Sequence, residues 1–260
     1  MQNNFFSLQK SSLLAAASVA FASSVMLSSS AQAFSISFDS TSLSSNNPAT
    51  GASAKVDFSF SQIDPNKVLL NLNLVNTTGQ IPSFGKGATQ ATLVGFGFDL
   101  LNNISSFTYS PLSSTFTQLY GDQSLTSATV QGEAKLEPFG TFDVGIRSSG
   151  TGNFTGGNPQ TGVTAGQFTN VSFTLSGSNL NAANLESAFL NGFQSGTLRA
   201  AARFQQVSGP GFSGASDKLL GGTISNGGPT SVPEPTTLVG IGLVAGAIAM
   251  SRRQQASKSA

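Results

Sequence analysis

Apolar and polar residues alternate one for one through much of this chain, and that period limits what it can fold into. Phe34, Ile36 and Phe38 point one way while Ser35, Ser37 and Asp39 point the other. Val56, Phe58 and Phe60 alternate with Asp57, Ser59 and Ser61; Leu70, Leu72 and Leu74 stand opposite Asn71, Asn73 and Val75. A period of two belongs to a strand with one buried face. Asp64-Pro65-Asn66-Lys67 between two of these runs is turn chemistry and predicts an antiparallel hairpin. Val94, Phe96, Phe98 and Leu100 alternate with Gly95, Gly97 and Asp99, which leaves the outer face of that strand bare and open to a bulge or a close neighbour. Val171, Phe173 and Leu175 mark a further clear strand, and shorter ones are expected at 107–109, 116–119, 128–135 and 141–146.

Other segments complete the body. Asn181-Ala182-Ala183-Asn184 leads into a short helix over 185–190, stopped by Asn191-Gly192, with Leu185 and Phe189 on one side. Residues 198–207 fit either a strand or a helix, and the period of the neighbouring runs favours the strand. The Gly/Thr/Asn-rich stretch 148–166 reads as the least ordered part of the body. Residues 208–214 read as a loop, 216–220 as a last short element, and 221–231 as a flexible linker. Together these predict a mainly β protein. Residues 34–220 form a single antiparallel β-sandwich or jelly-roll-like domain with one short helix.

Charge and missing residue types exclude several activities. Only 9% of residues are charged, so the surface must meet water through Ser, Thr and Asn. Setting aside Lys10, Arg252, Arg253, Lys258 and Glu234 leaves eight basic and ten acidic residues in the body, which is no footprint for nucleic acid. The chain has no Cys and no His. Thiol catalysis, zinc thiolate sites and histidine general bases are therefore excluded. No metal ligand set and no cofactor motif is visible. Asp39, Asp57 and Asp99 sit on outward strand positions and Asp64 and Asp122 in turns, so they read as solvated surface charge rather than as a catalytic pair. The 21 Phe fall mostly on inward positions and read as core, and with no Trp the aromatic platform of a sugar-binding module is missing.

The two ends carry addresses. Lys10, an apolar stretch over 13–27 and Ala31-Gln32-Ala33 make residues 1–33 a secretory signal peptide with an A-x-A cleavage site at Ala31 and Ala33. At the other end, Val232-Pro233-Glu234-Pro235 precedes an uncharged run over 238–250 and then Arg252-Arg253. Thirteen helical residues span about 20 Å, short of the roughly 30 Å hydrocarbon core. The arginines place residues 254–260 in the cytoplasm. Pro233 and Pro235 hold the chain extended just outside the membrane, the form in which a protease cleft binds it.

That order of parts over residues 232–253 resembles the PEP-CTERM sorting signal of bacterial exported proteins. Ala201-Ala202-Arg203-Phe204-Gln205 and Ser216-Asp217-Lys218-Leu219-Leu220-Gly221-Gly222 resemble stretches of cyanobacterial proteins that carry this tail. The resemblance implies recognition of Pro233, Glu234 and Pro235 by exosortase, a membrane protease-transpeptidase, with Arg252 and Arg253 as the cytoplasmic stop. It also implies signal peptidase and the secretion machinery as partners, transient membrane association, and exopolysaccharide as a neighbour. An uncut C-terminal anchor is the alternative. The expected function is a non-enzymatic structural or adhesive protein of the cell surface or extracellular matrix; the alternative is a carbohydrate-binding or glycan-acting hydrolase.

Overall fold

The computed structural model describes residues 33–227, so Ala31, Pro233, Glu234, Pro235, Arg252 and Arg253 lie outside the described residues. With strands numbered along the chain, one sheet runs in the order β15 (Thr223–Gly227), β1 (Ala33–Phe38), β3 (Ala54–Asp64), β4 (Lys67–Asn76), β12 (Phe168–Ser176), β6 (Ser106–Ser110). The other runs β2 (Leu43–Ser44), β14 (Phe212–Leu220), β13 (Ala200–Gly209), β5 (Gln90–Phe98), β10 (Val144–Arg147), β7 (Gln118–Gly121), with β11 (Val163–Thr164) also on β5. A separate two-stranded pair joins β8 (Ala134–Lys135) to β9 (Thr141–Phe142). Every pairing is antiparallel. The chain is thus mainly β, with two antiparallel sheets around one core, consistent with a β-sandwich.

The period-two runs supply that core. Phe34, Phe58, Phe60, Leu70, Leu72 and Phe173 from the first sheet meet Phe96, Phe98, Ile146 and Phe204 from the second, all essentially without solvent contact. Phe58 stacks on Phe34 with ring centroids 4.7 Å apart and meets Phe96 and Phe98 edge-on at 6.2 and 6.0 Å. Each buried Phe contributes roughly 1.5–3 kcal/mol relative to exposure, and such ring pairs add about 0.5–1.5 kcal/mol.

The second sheet is covered on its outer face as well. Tyr120, Ala134, Leu136, Phe142, Phe154 and Ala201 form a small second core there. The bare face at Gly95 and Gly97 makes room for it, as does Gly145 on β10. The β5–β13 register shifts between Gly95 and Leu93. That irregularity turns Val94 away from the expected inward row and puts it under Gly157. Stretch 148–166 is therefore not the loose part that its composition suggests. It carries β11, buries Phe154 and wraps the Arg147 guanidinium, which donates to the Asn153, Gly150 and Gln118 oxygens and lies 5.1 Å over the Tyr120 ring.

Three further boundaries differ from expectation. Residues 223–227, assigned to the linker, pair with β1 in register from Ser37↔Thr223 to Ala33↔Gly227. Of 128–135 only the last two residues are strand. The helix, α1 (Ala182–Ser195), does not stop at Gly192. Gly192 is there because a Cβ would lie 2.6 Å from the Leu198 side chain; Gly196, at φ 73°, is the left-handed residue that ends the helix. Asn181 caps its start by accepting from the Asn184 N–H. Residues 198–207 lie mostly in strand β13, as their period implies.

A Cβ on Gly145 would come 2.7 Å from the Phe154 ring and 2.8 Å from the Ala134 Cβ. Gly145→Ala should cost about 1–3 kcal/mol in urea unfolding. Trimming the ring as well, in Gly145→Ala/Phe154→Leu, should show a penalty smaller than the sum of the two single changes.

Candidate functional site

Ala33, one half of the expected cleavage signal, opens β1 and pairs with both Ser59 and Gly227. The acidic side chains divide into three settings. Asp64 and Asp122 cap turns, as expected, and so does Asp39, which lies just past the end of β1 rather than on an outward strand position: each accepts a backbone N–H two residues on. Asp57 is half-buried on the outer face of the first sheet. It accepts from Ser35 Oγ at 2.7 Å, from Asn73 Nδ2 at 3.1 Å and from Lys55 Nζ at 2.7 Å. Burial works against its ionisation, but the bonds from Lys55, Ser35 and Asn73 outweigh it and hold the carboxyl below its ordinary value.

Asp99 departs from the expected solvated setting because other elements cover it, and Asp217 is covered as well. Asp217 is fully buried and accepts five hydrogen bonds, from Ser44 Oγ, Ser45 Oγ, the Thr50 N–H and Oγ1, and the Lys218 N–H. It pins the segment after β2 onto β14, which is a structural task.

Asp99 lies at the wall of a depression of about 660 Å³. Three elements build it: the segment leaving β5, the turn between β9 and β10, and the C-terminal half of α1 with the residues that follow it. Arg199 closes one side. Its Nε donates to Asp99 Oδ2 at 2.9 Å, one terminal nitrogen reaches the Phe139 carbonyl at 3.0 Å, and the other reaches the Thr141 carbonyl at 2.7 Å. The backbones lock the same corner, since the Arg199 N–H donates to Asp99 Oδ2 and the Asp99 N–H to the Arg199 carbonyl, both at 2.9 Å. The guanidinium also lies 5.0 Å from the centre of the Phe142 ring. Asp143 holds the opposite wall by accepting the Leu100 N–H at 2.8 Å. Asn102, Asn191 and Thr141 complete a mostly polar lining, with Leu198 and Ala188 as its apolar part.

Sequence reasoning assigned none of these residues to a site. Asp99 and Arg199 are 100 positions apart, and nothing in either local pattern couples them. A smaller, more apolar hollow of about 420 Å³ shares Leu198 and Arg199 and lies toward Ile36, Leu43 and Ile224. Among the described residues no group of three or more acidic, His or Cys side chains is placed to hold a metal ion. One acid is poorly served: Glu186 of α1 is 7% exposed, its Oε2 has no hydrogen-bond partner among the described residues, and burial pushes its carboxyl above the usual range.

No protein-family model matches this chain, and no curated protein matches it in sequence. The site is therefore read from its own chemistry.

Two variants test this account. Asp99→Ala leaves the Arg199 fork without its carboxylate and should cost about 1–3 kcal/mol in thermal unfolding. Arg199→Lys should lose a similar amount, because an ammonium cannot reproduce the fork. For Glu186 the folded value lies above the unfolded one, so stability falls as pH rises from the unfolded value through the folded one. Glu186→Gln should then be more stable than the parent at pH 7 and no more stable at pH 3, read by thermal unfolding at the two pH values.

Proposed function

We propose that this protein is an exported, non-enzymatic structural or adhesive component of the cell surface or extracellular matrix. Its body is a single jelly-roll-like sandwich, delivered by the signal peptide and sorted through the PEP-CTERM tail. The outer face of the first sheet carries this reading. Across its strands one row reads Ser225, Ser35, Asp57, Asn73, Asn170 and the next reads Ser59, Asn71, Ser172, Ser110. Adjacent strands lie about 4.8 Å apart, so these two rows make a regular patch of short hydroxyls and amides. Such groups trade hydrogen bonds with a hydroxyl-rich polymer at little desolvation cost, since few charges must be stripped of water.

The chain ends support the sorting half of the reading. Ala33 pairs with Gly227, so the two expected processing segments leave from one corner. Pro233 follows Gly227 by six residues, a reach of at most about 20 Å. A processing enzyme at the membrane would thus meet the proline motif close to the folded body. A second reading, a carbohydrate-binding or glycan-acting protein, is favoured by the polar depression beside Asp99.

Intact-mass measurement of the native protein tests the proposal. A mature chain that starts at Phe34 and ends near Pro233, recovered with the surface or matrix fraction, is the expected result. A chain that keeps residues 238–260 would refute sorting by cleavage, and recovery from the cytoplasm would refute export.

A further inference from the structure

We propose that the depression between α1 and the Asp99–Arg199 pair binds an uncharged sugar ring. This deepens the reading of the body as an exported protein that meets hydroxyl-rich polymer, and it rests on that reading for its biological setting. The charge balance of the site selects the ligand. Asp99 is matched by Arg199, and all but one of the guanidinium hydrogens are already donated to Asp99, Phe139 and Thr141. Little is left of Arg199 to clasp a carboxylate or sulfate. Among the described residues Asp143 has no cation paired to it, and its Oδ1 accepts no hydrogen bond from them. One unbalanced carboxylate at the wall repels anions and accepts from hydroxyls.

The remaining lining fits the same ligand. The side chains of Asn102, Asn191 and Thr141 border the space and make no hydrogen bond with the described protein, so donors and acceptors of both kinds stand free. Leu198 and Ala188 offer an apolar patch for the C–H face of a ring. A volume of about 660 Å³ lies within the range of small-molecule sites. The walls are set before a ligand arrives. The Leu100 N–H is held by Asp143, the Leu198 N–H donates to the Gly192 carbonyl at 3.0 Å, and the Arg199 fork is fixed at three points. A pre-formed site spends less of its contact energy on ordering.

Calorimetric titration of the full-length protein in detergent with maltose, cellobiose and lactose, and with glucuronate as the anionic counterpart, tests the assignment. At least one neutral disaccharide should bind, and glucuronate should bind about tenfold more weakly or not at all. Asn191→Leu, an exposed helix position that tolerates Leu, should weaken the neutral sugar about tenfold while the unfolding midpoint stays unchanged. Asp143→Asn keeps the acceptor for the Leu100 N–H and should narrow the preference against glucuronate. The inference is overturned if no neutral sugar binds, if Asn191→Leu binds as the parent does, or if glucuronate binds the parent as well as the neutral sugars do. Correct end processing together with no sugar binding would remove this site and leave the exported structural role standing.

Discussion

Phe58 is the contact on which the rest of the body depends. Its ring is stacked on Phe34 within its own sheet and meets Phe96 and Phe98 of the facing sheet edge-on. Phe98 in turn meets Phe173 edge-on at 5.6 Å, which carries the interlock across β12. A chain with so few ion pairs and no disulfide relies on burial, and these rings bring the largest apolar surfaces. The interlock fixes register too. A one-residue slip of β3 would turn Phe58 outward and bring Asp57 or Ser59 into the core.

The two sheets solve their outer faces differently. The first sheet leaves much of its outer face to short polar side chains, with Leu69, Val75 and Phe168 on the same face. The second lacks side chains at Gly95, Gly97 and Gly145, and other parts of the chain fill the space. Phe154 and Phe142 lie over the glycines, and Arg147 is held by the Asn153 and Gly150 carbonyls of the covering stretch and by the Gln118 amide oxygen of β7. Phe142 also lies under the guanidinium of Arg199. The second core and the wall of the depression are thus continuous: the cover that protects the glycine face also fixes the fork that shapes the site.

Legibility in the sequence followed the range of the forces involved. Strands with one wet face announced themselves, because their period is local; β1, β3, β4, β12 and β13 lie where alternation puts them. The bare face of Gly95 and Gly97 was legible as a vacancy, but not the identity of what fills it, since Phe154 arrives from a stretch with no period at all. The helix end was misplaced because a glycine serves close approach as readily as termination; only the contact of Gly192 with Leu198 separates the two uses. Asp99 was misread for one reason. An outward strand position is solvated only if nothing crosses it, and here Arg199 does. Strand β15 was hidden because Thr223–Gly227 is polar and Gly-containing, as linkers are, and its order comes from pairing with β1.

That last pairing joins the fold to the proposed route of the protein. β1 is an inner strand, flanked by β15 and β3, and its first residue sits in both ladders. A signal peptidase needs extended, unpaired chain on both sides of the bond it cuts, so on the export reading the bond after Ala33 is cut before β1 enters the sheet. β15 cannot take its place until β1 is there, because β1 is its only partner strand in the sheet. On the proposed route the corner therefore closes only after the leader is removed, and its closing sets Gly227 beside the new N-terminus. On that route the ladder imposes an order, because removal of the leader must come before β15 pairs with β1.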